Sequence, residues 1–98
     1  MTNDEVKREI VRSSQFRKDV RLAHKQGKDL TILKRIITML ANDEPLPDKY
    51  RDHALVGNWK EHRECHVTPD WLLVYKKTDN NGLVLLLVRV ASHSDLDA

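Results

Sequence analysis

Residues 71–90 read WLLVYKKTDNNGLVLLLVRV, and this stretch decides the fold. Residues 71–77 are rich in aromatic and aliphatic side chains, which is typical of a β-strand. Residues 83–90 form a nearly continuous apolar run, as in a strand that is covered on both faces. Between them, Asp79-Asn80-Asn81-Gly82 suits a turn with positive φ. The stretch therefore predicts two antiparallel strands that are joined by a hairpin.

Upstream, two helical patterns predict a helical hairpin. The first helix has a candidate N-cap at Ser13 or Ser14 and a stop at Gly27. Its apolar stripe follows helical spacing and consists of Phe16, Val20 and Ala23. The second helix can begin after Asp29 and must end before Pro45 and Pro47. Its apolar face, which we expect to lie in the core, consists of Leu30, Leu33, Ile36, Ile37 and Leu40.

Two further strands are predicted mainly from their context. Residues 7–12 (KREIVR) are a weak strand candidate, and residues 59–67 (WKEHRECHV) are too polar to be predicted by propensity alone. The strands that follow residues 59–67 nevertheless favour a strand there. The element order is then β-α-α-β-β-β, an α+β fold with two helices packed on an antiparallel sheet. No repeat or linker interrupts it, so residues 1–98 are expected to form one domain.

Composition excludes several classes of protein. The chain has 98 residues, of which 33% are charged, and no apolar run approaches the roughly 18 residues of a membrane span. The N-terminus lacks the apolar region of a secretory signal. The single cysteine, Cys65, cannot form an internal disulfide, and we expect it to be inert. These features predict a soluble cytoplasmic protein that has no membrane partner.

The net charge of +2 is too small to indicate a nucleic-acid partner by itself. The charges are unevenly distributed, however, because residues 12–28 contain one acid, Asp19, among several bases. Those bases are Arg12, Arg17, Lys18, Arg21, Lys25 and Lys28. The stretch is either a solvated helix face or a surface that contacts phosphates, and the second interpretation requires a nuclease site elsewhere.

Histidine is unusually frequent, with five copies in the chain. Strand alternation puts His62, Glu64 and His66 on one face. Asp70 opens the next strand close to the end of the His66 strand, and His93 follows the last strand. In an antiparallel sheet these chain ends return to one edge. We therefore expect His66, Asp70 and His93 to converge.

Such a set suits RNA cleavage by attack of the 2′-hydroxyl on the neighbouring phosphate. The reaction needs a base, an acid and a cation for the charge on phosphorus, and histidine can serve as either acid or base near neutral pH. Arg89 is positioned to bind the phosphate. A metal site is the alternative, ranked lower because His62 and His66 at strand spacing lie about 13 Å apart. Trp71 is interpreted as a core aromatic that could also stack on a base.

The central part of the chain closely resembles the YafQ-type toxins of the RelE superfamily. Residues 46–60 (LPDKYRDHALVGNWK) follow that family's pattern L-P-x-x-Y-x-D-H-x-L-x-G-x-W. Residues 63–76 (RECHVTPDWLLVYK) follow R-[DE]-x-H-V-x-P-D-W-[IL]-L-x-Y. The resemblance covers essentially residues 9–96, and it implies a RelE-like fold.

The resemblance also implies a function. It suggests a ribosome-dependent mRNA endonuclease that acts in the A site without a metal or other cofactor and is neutralised by a cognate antitoxin. Carried over by position, the catalytic residues are His53, Glu64, His66, Asp70 and His93, and the substrate-binding residues are Arg89 and Trp71. His66 and His93 are expected to be acid and base, oriented by Asp70 and Glu64 and assisted by His53. Ribosomal RNA is the expected partner of Arg17, Lys18, Arg21 and Lys25.

Three positions depart from the family's pattern. Asp97 stands where the family usually has an aromatic residue near the mRNA, so base stacking and toxicity are expected to be weaker. His62 replaces a common tyrosine and adds a titratable group beside the site. Ala91-Ser92 stands where a glycine often precedes the last histidine.

Two other functions remain open at this point. One is a ParE-like toxin that inhibits a protein target such as DNA gyrase by binding it. The other is a catalytically weakened toxin that acts with its antitoxin in transcriptional autoregulation, and Asp97 keeps that possibility open. The histidines and acids favour the nuclease, because a protein that only binds a target does not need them.

Overall fold

The computed structural model describes residues 6–97, apart from the side chain of Asp97. The strands are β1 (Glu9–Arg12), β2 (His53–Ala54), β3 (Arg63–Thr68), β4 (Trp71–Thr78) and β5 (Val84–Ala91). The helices are α1 (Ser14–Lys25), α2 (Leu30–Ala41) and the short α3 (His93–Asp97). Single 3₁₀ turns lie at Asp48–Tyr50 and Gly57–Trp59. The predicted α+β class and its β-α-α-β-β-β order are confirmed, with β2 and α3 as additions.

The five strands form one sheet in the order β1-β5-β4-β3-β2. Strands β2 to β5 pair antiparallel, as predicted, whereas β1 lies parallel to β5. The sheet is therefore mixed and not wholly antiparallel. The expectation failed for β1 because the pattern of a short edge strand does not specify its direction relative to a partner more than 70 residues away.

Local capping chemistry defines both long helices. The Ser13 hydroxyl accepts a hydrogen bond from the Phe16 amide at 2.9 Å, and Asp29 accepts one from the Thr31 amide at 2.8 Å. Gly27 has a φ of 76°, a left-handed conformation that ends the first helix and that glycine adopts without strain. The second helix ends at Ala41, several residues before Pro45. The predicted caps and stops are thus confirmed.

The core lies between the two long helices and one face of the sheet. From α2 it takes Leu33, Ile36, Ile37 and Leu40, as predicted, while Leu30 is only partly buried. From the sheet it takes Cys65, Val67, Trp71, Leu73, Tyr75, Leu85, Leu87 and Val90. Each fully buried aliphatic side chain contributes about 2 kcal/mol, so burial of this face stabilises the packing of the helices on the sheet. Among residues 6–97, no helix is long and apolar enough to cross a bilayer.

The polar strand is shorter than predicted. Residues 57–59 form a 3₁₀ turn, Glu61 has a φ of 71°, and β3 begins only at Arg63. His62 therefore precedes the strand, where its ring packs edge-on against Trp59 at a centroid distance of 5.4 Å. Glu64 and His66 occupy one face as expected. His62 was wrongly included in that alternation, because a turn with positive φ breaks the period of two.

Candidate active site

A row of paired residues across three strands brings two histidines together. His66 pairs with Leu72 on β4, and Leu72 pairs with Ala91 on β5. His93 comes two residues after Ala91, at the start of α3. The ring centroids of His66 and His93 are consequently 5.6 Å apart. The predicted convergence of these two histidines is confirmed.

Strand β2 adds a third histidine to the same face. His53 pairs with Glu64 across β2 and β3, and its Nε2 lies 3.2 Å from the Glu64 carboxylate. Its ring centroid is 6.2 Å from that of His66. His66 therefore lies between two other imidazoles. We call His53, Glu64, His66, Asp70 and His93 the histidine cluster.

Asp52 holds the segment that carries His53. Its carboxylate accepts hydrogen bonds from the Tyr75 hydroxyl at 2.6 Å and from Nε of Arg63 at 3.3 Å. Burial, followed by the hydrogen bond to Asp52, raises the pKa of Tyr75, so the phenol stays protonated and donates. Asp52 was not assigned a role from the sequence. Its place beside His53 in the motif was the available signal.

The Asp70 carboxylate is bonded to His93 through both the ring and the backbone. Its Oδ1 lies 3.1 Å from Nδ1 of His93 and 3.4 Å from the His93 amide. The side-chain bond to His93, then the backbone bond, lowers the pKa of Asp70 below its ordinary value. Asp70 is therefore ionised at neutral pH and can balance a positive charge on the ring. Both side chains are more than half exposed, so solvent and substrate reach them.

The histidines differ in which ring nitrogens are occupied. In His66, Nδ1 lies 3.4 Å from the Pro69 carbonyl, and in His93 it is bonded to Asp70. In His53, Nδ1 lies 3.3 Å from the Ala54 carbonyl while Nε2 faces Glu64. Among the described atoms of residues 6–97, which leave out the Asp97 side chain, neither Nε2 of His66 nor Nε2 of His93 has a hydrogen-bond partner. These two nitrogens can exchange protons with a bound molecule.

Arg89 is held by a partner that was not predicted. Its Nε and Nη2 each donate to the Asp19 carboxylate on α1 at 3.1 Å, and Asp19 also accepts from the Val90 amide at 3.0 Å. Asp19 is buried, and the bond to Asp19 raises the pKa of Arg89. Two of the three guanidinium nitrogens are thus engaged in a contact between helix and sheet.

Trp71 is a core residue and not a stacking surface. Its side chain is 3% exposed, and Nζ of Lys28 lies 5.5 Å from the ring centroid. The core interpretation is confirmed, and the alternative that Trp71 stacks on a base is wrong for this conformation, because the ring faces are covered. Lys28, whose position near Asp70 was not anticipated, presents a cation at that edge of the cluster.

The remaining predicted residues lie outside the cluster. Arg17, Lys18, Arg21 and Lys25 are all exposed on α1. Cys65 is fully buried, and burial raises the pKa of its thiol to about 12, which agrees with the expected inert role. The side chain of Asp97 lies outside the described part of the chain, so its predicted effect is still a prediction.

Three members of the cluster could also hold a metal ion. Three possible ligand atoms, one each from His53, Glu64 and His66, lie within 4.8 Å of one another. This is the only such group of possible metal ligands found among the described residues. Two imidazoles and a carboxylate are typical zinc ligands. The metal site was ranked low because His62 and His66 were expected to lie far apart. That argument used the wrong pair of histidines, because the second histidine of this set, His53, comes from the separate strand β2.

Comparison with known proteins identifies the family of this chain. A family model described as "Bacterial toxin of type II toxin-antitoxin system, YafQ" matches residues 8–98. The mRNA interferase toxin YafQ of Escherichia coli (strain K12) is 46% identical over 92 residues, or 93% of this chain and 97% of that protein.

Solved structures agree with this match. The E. coli DinJ–YafQ toxin–antitoxin complex contains a chain that is 45% identical, with a TM-score of 0.84 over 95% of this chain and 100% of that one. A metal-bound toxin from Helicobacter pylori is 44% identical, with a TM-score of 0.84 over 90% of this chain and 97% of that one. The chain belongs to the YafQ family of type II toxins.

Proposed function

We propose that this chain is a ribosome-dependent mRNA endoribonuclease toxin that cleaves mRNA in the A site and is neutralised by a cognate antitoxin. The observation that carries the proposal is the pair of accessible Nε2 atoms on His66 and His93, on rings 5.6 Å apart. The name of the E. coli relative, an mRNA interferase, supports the same activity.

The proposed reaction is an internal transfer at phosphorus. His66 accepts the proton of the 2′-hydroxyl, whose oxygen forms a bond to the adjacent phosphorus. The bond from phosphorus to the 5′-oxygen breaks, and His93 gives its proton to that oxygen. The products are a 2′,3′-cyclic phosphate and a 5′-hydroxyl, so no metal or other cofactor is required.

The neighbouring groups support this assignment of acid and base. The Pro69 carbonyl, as an acceptor for Nδ1–H of His66, favours the tautomer in which Nε2 is unprotonated. Asp70 balances the charge of a protonated His93. His53 and Glu64 bind each other, so they orient the site and do not transfer protons themselves. The charge on the phosphate is neutralised by Lys28 and by Nη1 of Arg89, which has no hydrogen-bond partner among the described residues.

Partners follow from the same proposal. The exposed bases of α1 would contact ribosomal RNA, and their reversal to acids should weaken ribosome binding in a salt-dependent way. The cognate antitoxin is inferred from the E. coli complex with DinJ. Expression of this chain alone should stop the growth of bacterial cells, and coexpression with the product of a short neighbouring reading frame should restore their growth.

The decisive experiment uses translating ribosomes with a programmed A-site codon. Wild type should cut the mRNA and leave a cyclic phosphate, and His66→Ala or His93→Ala should each cut about 10²–10⁴-fold more slowly. His24→Ala, an exposed histidine on α1, is the matched control and should keep full activity. Uncut mRNA with wild type would favour the weakened toxin that acts only with its antitoxin.

A metal ion at His53, Glu64 and His66 is the alternative mechanism, and the metal-bound H. pylori toxin makes it worth testing. Phenanthroline separates the two mechanisms, because it removes transition metals and leaves the Mg²⁺ that ribosomes need. Cutting should be unchanged after protein treated with this chelator is added to ribosomes. Added Zn²⁺ should inhibit, since it would occupy the base. Loss of cutting on chelation, restored by Zn²⁺, would overturn the metal-free mechanism.

A further inference from the structure

A cavity beside the histidine cluster has no assigned role. Its volume is about 770 Å³, within the range of small-molecule sites, and His66 and His93 are among the residues that line it. The apolar part of its lining includes Ile32 of α2, Tyr50 and Pro69. Lys49 and Arg51 also border it.

We propose that this cavity binds the nucleotide of the RNA substrate that adjoins the cleaved phosphate, with the base against Ile32 and Pro69 and the next phosphate on Arg51. This inference deepens the proposed nuclease function and rests on it. A nucleotide combines an apolar planar base with an anion, and the cavity combines an apolar wall with two cations. A bound base there would place its own phosphate against the two histidines.

The backbone at Arg51 supports the assignment. Arg51 has a φ of 49° and ends the 3₁₀ turn Asp48–Tyr50 in the left-handed region. Glycine or asparagine would adopt this conformation at lower cost, and strained residues of this kind cluster at functional sites. Among the described carboxylates, which leave out that of Asp97, none lies within salt-bridge distance of the Arg51 guanidinium. The cation is therefore available to a ligand.

The neighbouring residues fix the geometry of this wall. Tyr50 is buried, so the turn that carries Lys49 and Arg51 is anchored in the core. Lys49 lies over the Tyr50 ring, with Nζ 5.2 Å from its centroid. The Arg51 backbone is consequently held by the core, and a change of its side chain should leave the wall in place.

The test titrates the 3′,5′-bisphosphates of adenosine, guanosine, cytidine and uridine, which carry a phosphate for the histidines and one for Arg51, into ¹⁵N-labelled protein. Saturable amide shifts should concentrate at Ile32, Arg51 and Val67. Arg51→Gly should weaken binding about tenfold while the melting temperature stays the same or rises, because glycine relieves the left-handed strain. Arg51→Lys should retain most of the affinity. A purely structural Arg51 would instead leave the affinity of Arg51→Gly unchanged, and that result would overturn the proposal.

Filling the cavity provides a second variant. Ile32→Trp should abolish the nucleotide shifts and alter the codon pattern of cutting on ribosomes. Thr38→Trp, at an exposed position of the same helix outside the cavity, should change neither. Two results would overturn this inference while leaving the nuclease function intact. One is mRNA cutting by wild type without nucleotide-induced shifts in the cavity. The other is an unaltered codon pattern of cutting in Ile32→Trp. Nucleotide binding in the cavity without cutting on ribosomes would sink the nuclease function and leave the nucleotide site standing.

Discussion

Two polar clusters at separate places in the fold show how burial decides what charged residues do. We call Arg8, Asp43, Lys77 and Asp79 the Arg8 network. Nε of Arg8 donates to Asp43 at 2.8 Å and Nη1 to Asp79 at 2.9 Å, and Nζ of Lys77 donates to Asp43 at 2.7 Å. The Arg8 side chain is only 9% exposed, whereas that of His93 is 51% exposed.

The difference lies in whether a proton site remains open. Nη1 of Arg8 also donates to the Thr78 and Val84 carbonyls, both at 3.2 Å, so the guanidinium joins the N-terminal strand to the hairpin. The bond to Asp43, the largest cause, raises the pKa of Arg8, which keeps this cation charged. His66 and His93 each have one ring nitrogen bound by the protein and one without a partner among the described atoms. The Arg8 network therefore stabilises the fold, and the histidine cluster is suited to chemistry.

The largest expected effect concerns the ion pair between Asp19 and Arg89, which lies next to the histidine cluster. The side chain of Asp19 is buried, as that of Arg8 is. Asp19→Asn should lower the free energy of unfolding by about 2–3 kcal/mol, because the buried Val90 amide and Arg89 lose a charged acceptor. Urea unfolding measures it. Gln15→Ala, which removes one neighbouring bond to Asp19, is the control and should cost about 0.5 kcal/mol. If Asp19→Asn and Gln15→Ala lowered the free energy of unfolding by the same amount, the Asp19–Arg89 pair would not have this structural role.

A smaller loss of stability is expected in the Arg8 network. Asp43→Asn should destabilise by about 1–2 kcal/mol, because it removes the carboxylate shared by two cations while asparagine tolerates the φ of 58° at this position. Glu44→Gln changes an exposed carboxylate next to it and should have almost no effect. An unchanged unfolding midpoint in Asp43→Asn would contradict the stabilising role.

The Asp43 carboxylate also predicts that the stability of the fold depends on pH in the acid range. The hydrogen bonds from Arg8 and then Lys77 lower the pKa of Asp43 from 3.8 to about 2. A depressed folded-state pKa means that the stabilisation is complete above pH 3.8 and is lost as pH falls through about 2. The stability difference between wild type and Asp43→Asn should thus shrink across that window. A difference that is constant from neutral pH to below 2 would exclude this origin.

The smallest expected effect concerns the histidine cluster, which is the more exposed of the two clusters. In His93→Ala the pKa of Asp70 should rise back toward 3.8, since His93 supplies the largest causes of its depression. Carboxyl carbon shifts followed by NMR during an acid titration measure it. Stability should hardly change, because the Asp70 side chain is 76% exposed. His62→Ala should leave the Asp70 titration as it is in wild type.

Much of the fold could be predicted from local signals. The caps at Ser13 and Asp29, the stop at Gly27 and the apolar face of α2 act within a few residues of the chain, and all appear in the structure. The parallel direction of β1 and the true start of β3 could not be predicted in this way. The first depends on a partner far along the chain, and the second on backbone strain at Glu61.

The candidate site was predicted less completely than the fold. The convergence of His66, Asp70 and His93 followed from the order of antiparallel strands, and the rings and carboxylate do meet. The bond between His53 and Glu64 depends on a strand of two residues, too short to be recognised from a pattern. Asp52 and Lys28 were missed because their contacts, with Tyr75 and Trp71, cross between elements.

The sequence by itself determined the α+β class, the caps of the long helices and the supply of imidazoles and acids, because periodicity and capping are properties of neighbouring residues. Only the tertiary structure decided which ring nitrogen of His66 and of His93 is open, that Asp19 holds Arg89, and that Trp71 is covered. Those outcomes depend on strand register and on helix packing against the sheet, which join atoms far apart in the chain. A local sequence pattern carries no information about contacts between residues so far apart in the chain.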